Sequence, residues 1–114
     1  MNNLIDTHAL IWFLNGEDKL SDKAKKAIED EDAINFISIA SLWEMAIKIS
    51  IKRLELKSDF GKLTEFLNEN DIELLPLTFD HIKKLLQLEF HHRDPFDRII
   101  ISQSISEKII HEPR

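Results

Sequence analysis

The sequence predicts an α/β fold built on a parallel sheet with helices over both faces. Short apolar runs of strand length alternate along the chain with segments of helical period, the pattern of a parallel sheet joined by helical crossovers. No repeat, low-complexity tract or Pro/Gly/Ser linker breaks that alternation. An acid, Asp6, ends the first apolar run, at the C-terminal strand edge where such sheets carry their ligand sites.

Taken in order, residues 3–6 read as a buried strand and 8–14 as a helix. Ser21 is placed to cap a helix carrying Ala24, Ala27 and Ile28. Residues 34–39, with Phe36 and Ile37, form a second strand. Residues 40–51 are apolar on nearly every side, which predicts a deeply buried helix. Phe60, Leu63, Phe66 and Leu67 mark an amphipathic helix ending near Asn70. A third strand spans 72–77, after which Thr78 caps a helix bearing Ile82, Leu85 and Leu86. Residues 94–106 make the last helix, and 108–111 begin a fourth strand.

At 114 residues the chain is one domain with room for a real core. Its 43% hydrophobic and 32% charged residues describe a globular protein. With no cysteine, disulfide frameworks, zinc ribbons and thiol nucleophiles are excluded. Only Gly16 and Gly61 occur, so there is no glycine-rich phosphate loop. The apolar stretch ALIWFL is too short to span a membrane and follows no basic segment, which makes the cytoplasm the expected location. A net charge of −6 argues against indiscriminate nucleic-acid binding through a global positive field. It leaves room for a nucleic-acid enzyme that holds phosphate locally, and it suits a site that receives a basic partner segment.

The chemistry concentrates in acids that interrupt core-like sequence: Asp6 in NLID, Glu44 in SLWEMAIK, and Asp94 and Asp97 in HHRDPFDR. Each has a structural alternative. Asp6 or Thr7 suits a helix N-cap. Ser41-x-x-Glu44 fits a capping box, and Glu44 is also spaced to pair with Lys48. Asp94-Pro95 is a strong helix start, which puts Asp97 in the first turn, where a carboxylate suits the helix dipole. Together they point elsewhere. Helices that follow parallel strands start at one sheet edge, so their acids would converge. Carboxylates about 5 Å apart repel by roughly 3 kcal/mol per pair at an effective dielectric near 20. A hard divalent cation offsets that, and carboxylate oxygens suit Mg²⁺ or Mn²⁺.

Other features are less specific. His91 and His92 read as solvated loop residues before metal or phosphate ligands. Lys48, Lys52, Arg53 and Lys57 form a basic stretch, more a solvated face than an RNA contact. Trp12, Trp43 and Phe96 read as core or interface residues. A phosphoacceptor receiver-like domain is set aside, because Asp6 has no acidic neighbour and LPLTF supplies no acceptor.

The segments LIDTHALIWFL, SIASLWEMAIK, LPLTFDHI and HHRDPFDRIIISQS, in this order, closely resemble the PIN-domain toxins of the VapC type, which belong to type II toxin–antitoxin systems. The resemblance runs from the N-terminus to about Lys108. It implies a three-layer α/β/α sandwich over residues 1–114 and a Mg²⁺- or Mn²⁺-dependent endoribonuclease. It further implies neutralisation by a cognate antitoxin and a homodimer. By position it makes Asp6, Glu44 and Asp97 the catalytic, metal-holding acids. Asp94 matches an extra aspartate of the RDPFDR branch, as ligand or as helix cap. Thr7 matches a hydroxyl that orients ligand or water, and Arg93 or Arg98 would steady a phosphate or pair with a neighbouring aspartate. The departure is at the C-terminus. Family members continue into a TRD-type loop with a further acid, whereas this chain reads SEKIIHEPR, with Glu112 in a context that does not match. A curtailed fourth strand and a truncated domain are therefore expected. The alternative is a catalytically inactive module that only binds antitoxin.

Overall fold

The computed structural model describes residues 2–16, 22–89 and 94–112. Ser21, His91, His92 and Arg93 lie outside the described residues. The elements are β1 (Asn2–Ile5), α1 (Thr7–Asn15), α2 (Asp22–Glu29), β2 (Ile34–Ser38), α3 (Ile39–Ser50), a 3-10 turn (Phe60–Lys62) running into α4 (Leu63–Glu69), β3 (Ile72–Leu75), α5 (Phe79–Leu85), α6 (Pro95–Glu107) and β4 (Ile110–Glu112).

The strands form one sheet in the order β3-β2-β1-β4, and every pairing is parallel. Successive strand side chains face opposite sides, and the core divides accordingly. Ile5, Ile37 and Ile72 join one buried cluster with Ala9, Leu10, Ile28, Met45 and Leu67, so α1 to α4 cover that face. Leu4 and Leu75 join Ile100 and Ile109 in a second cluster, with Phe36 and Ile99 packed against it, under α6. The expected three-layer α/β/α sandwich is what the chain forms.

Two buried asparagines sit side by side where β1 pairs with β2, in the register Asn3↔Asn35. Asn3 Nδ2 donates to Asn35 Oδ1 at 3.2 Å, and Asn35 Nδ2 donates to the carbonyls of Ala27 and Ile28 at 3.3 and 2.9 Å. These bonds satisfy carbonyls that the C-terminal end of α2 leaves without helical partners.

Three expectations are corrected. α3 is not buried on all sides: Trp43 is 61% exposed, and Ile39, Ile47 and Ile51 are exposed with it. The stripe Ile39–Trp43–Ile47–Ile51 repeats every four residues, so helical geometry keeps it on one face while Met45 packs inward. The third strand stops at Leu75, because Pro76 has no N–H to continue a ladder. β4 begins at Ile110, after α6 closes on Lys108 in the left-handed region (φ 56) and Ile109 N–H returns to Ser104 O at 2.9 Å. β4 is short but fully parallel to β1, with Asn3, Leu4 and Ile5 opposite Ile110, His111 and Glu112.

Candidate active site

β1 ends at Ile5, and the next residue turns the chain into α1. Asp6 is the N-cap: its backbone is extended, and its carboxylate accepts the N–H of His8 at 3.0 Å. It is also 5% exposed. A cap that only satisfies an N–H does not require burial, so the capping reading accounts for part of Asp6. Beside it, His8 Nδ1 lies 3.6 Å from Asp6 Oδ2. His8 is a neighbour that the sequence reading did not single out, although DTH carries it in plain view.

Thr7 is buried, and its hydroxyl donates to Ser41 Oγ at 2.7 Å. That bond ties the first turn of α1 to the first turn of α3. The Thr7 hydroxyl is therefore a strut between the helices, with its donor committed to Ser41.

α3 follows β2 directly, capped by Ser38, whose hydroxyl accepts the N–H of Ala40 at 3.0 Å. Ser41 thus lies inside the helix, and the capping box proposed for Ser41 and Glu44 does not form. β1 and β2 are parallel neighbours, so α1 and α3 begin at the same sheet edge. Glu44, one turn beyond Ser41, is 3% exposed. Its Oε2 receives Lys48 Nζ at 3.1 Å, the alternative pairing read from the spacing. Its Oε1 is buried with no hydrogen-bond partner. A carboxylate oxygen in that state carries the full cost of leaving water without recovering it, which marks a place for a cation or an ordered water.

α6 brings the remaining acids. Asp94 is its N-cap, accepting the N–H of Phe96 at 2.9 Å, with Pro95 opening the helix. Asp94 is exposed, whereas Asp97, in the first turn, is half-buried. α3 and α6 meet through Trp43 and Phe96, whose rings stand edge to face with centroids 5.2 Å apart. Each aromatic is the immediate neighbour of a site acid, Trp43 of Glu44 and Phe96 of Asp97. Glu44 and Asp94 open on one cleft of about 540 Å³, with Ile47, Lys48, Arg53 and Phe96 along its walls. Arg98 Nη2 reaches Leu85 O at 3.5 Å.

The helix starts that carry the acids are linked, α1 to α3 by Thr7–Ser41 and α3 to α6 by Trp43–Phe96, without the acids closing into a cage. Among the described residues no group of three or more His, Asp or Glu is close enough to hold a metal ion. A cation in this arrangement would take at most two of these carboxylates directly and complete its shell with water. Mg²⁺ commonly binds that way, through one or two carboxylates plus waters and substrate phosphate. The all-oxygen donor set and the orphaned Glu44 Oε1 fit such an ion.

A comparison with curated proteins finds no match. Among solved structures, the chain shares its fold with the crystal structure of VapBC2 from Rickettsia felis bound to a DNA fragment from their promoter. The TM-score is 0.68 at 17% identity, over 97% of this chain and 86% of that one. The PIN domain model matches residues 4–111, which takes in Asp6, Glu44, Asp94 and Asp97. On that match over nearly its whole length, the chain belongs to the PIN domain family.

Proposed function

We propose that the chain is a VapC-type toxin, a metal-dependent endoribonuclease of the cytoplasm that a cognate antitoxin neutralises. Asp6, Glu44 and Asp97 would surround Mg²⁺ or Mn²⁺, at most two of them as direct ligands and the rest through its bound waters, with Asp94 at the rim. The observation that carries this reading is Glu44, buried in a PIN fold with one oxygen unpartnered, at a cleft shared with Asp94.

When bound, the divalent ion lowers the pKa of a coordinated water and stabilises charge developing on the phosphate. The protein's part is placement. Asp6 is held by the turn from β1 into α1, and Glu44 by the packing of α3 on the sheet. Lys48 and Arg53 line the cleft beside Glu44 and give an otherwise acidic chain a local partner for the RNA backbone. Hydrolysis in line would leave a 5′-phosphate and a 3′-hydroxyl. The exposed stripe Ile39–Trp43–Ile47–Ile51 is the surface for a homodimer, since contiguous apolar patches of this kind mark interaction sites.

Metal-free protein should cut a panel of cellular RNAs when Mn²⁺ or Mg²⁺ is added and not in EDTA. Asp6→Asn and Asp97→Asn should abolish cleavage while the fold is kept, as judged by circular dichroism. Full cleavage by both variants would sink the assignment. The second reading, an inactive module that only binds antitoxin, is favoured by the absence of a gathered carboxylate triple among the described residues. Antitoxin binding with no metal-dependent cleavage would select it.

A further inference from the structure

We propose that Lys48 is the resident counter-ion of the metal site, a positioning residue that competes with the divalent cation for Glu44. The inference rests on the metal-site reading above and adds a residue that regulates it. Glu44 is nearly fully buried, its Oε2 held by Lys48 at 3.1 Å and its Oε1 unpartnered. An ion pair one turn apart on an exposed helix surface contributes little. Here the acid is inside, so Lys48 supplies the positive charge that faces the buried carboxylate within the fold.

The base is not inside to the same degree. The Lys48 side chain is 33% exposed and stands on the wall of the cleft. A four-carbon stem with its ammonium at a solvent-filled opening can leave its partner without unpacking the helix. A divalent cation arriving at Oε1 would face a positive charge across the same carboxylate, and that repulsion drives Lys48 toward the cleft. Metal-free, Lys48 occupies Glu44; metal-bound, its ammonium would turn toward the open cleft, where substrate phosphate would lie.

The test is a Mn²⁺ titration of the metal-free chain by calorimetry, with wild type, Lys48→Met and Lys48→Arg compared. Lys48→Met should bind Mn²⁺ about tenfold more tightly than wild type, because both competitor and repulsion are gone, whereas Lys48→Arg should bind as wild type does. In EDTA, Lys48→Met should melt about 5 °C or more below wild type, and saturating Mn²⁺ should close most of that gap. On the wild-type chain itself, the Lys48 side-chain carbon resonances should shift in step with Mg²⁺ occupancy, a readout that needs no variant to fold. Wild-type binding of Mn²⁺ with unchanged affinity in Lys48→Met, or a Lys48 resonance indifferent to Mg²⁺, would overturn the proposal and leave the nuclease reading standing. No Mn²⁺ binding by wild type would overturn both.

Discussion

Glu44 is the side chain whose environment asks most of the rest of the protein. A buried carboxylate with one oxygen satisfied is tolerated because Lys48 neutralises it, and the cost of the other oxygen remains. Glu44→Gln removes the charge while keeping the shape, so the metal-free variant should be at least as stable as wild type in urea denaturation. A loss above about 2 kcal/mol would mean that the ion pair contributes more than it costs. Asn35 is the opposite case, a buried polar residue whose bonds are all structural. Asn35→Ala strips partners from Asn3 and from the end of α2 and should cost about 1–3 kcal/mol in the same assay, with metal binding unaffected. The site acids stood out in the sequence because charge is conspicuous in an apolar run. His81 did not. It is buried, its Nε2 2.9 Å from Glu107 Oε2 while its Nδ1 accepts the N–H of Thr78 at 3.1 Å. The local clue was Thr78-x-x-His81, a capping box with histidine in the place that glutamate or glutamine usually takes. Its partner on α6 is 26 residues away and could not be read locally.

Three helix starts were legible, because caps are chemical signatures: Asp6, Thr78 and Asp94 each cap the helix expected of them, whereas α3 is capped by Ser38. Asp94→Ala should therefore cost about 1 kcal/mol, and Asp94→Asn little, since asparagine caps as well as aspartate. If Asp94 also serves the metal, Asp94→Asn will lower cleavage at unchanged stability; unchanged cleavage leaves it a cap alone. Which side of α3 faces water was not legible. A helix that is apolar all round reads as core, and the pattern cannot separate residues that pack within the chain from those that wait for a partner. The exposed stripe predicts that Ile47→Glu shifts sedimentation toward monomer, and an unchanged sedimentation profile would remove the stripe from the dimer proposal. At the other end of the sheet, Lys108 closes α6 in a left-handed conformation that costs a side-chain-bearing residue. Lys108→Gly should raise stability by about 0.5–1 kcal/mol in thermal or urea unfolding.

At the scale of the whole molecule, one design decision places the site. Parallel strands put the ends of β1 and β2 at the same edge, so α1 and α3 start side by side and Thr7–Ser41 links them. The α6 start is then added through Trp43 and Phe96. The alternation of strand and helix made this architecture readable, since period and length are local properties. How closely the acids approach was not readable. Convergence at an edge is a matter of topology, whereas ligand distance depends on side-chain packing across elements far apart in sequence. No helix among the described residues is long and apolar enough to cross a membrane. The most direct test of the account is the rate at which a fluorogenic RNA oligonucleotide is cut as Mn²⁺ is titrated into metal-free wild type and Glu44→Gln. The account predicts a saturable rise for wild type and a flat line for the variant. Cleavage that needs no metal, or that Glu44→Gln performs as well as wild type, would contradict it.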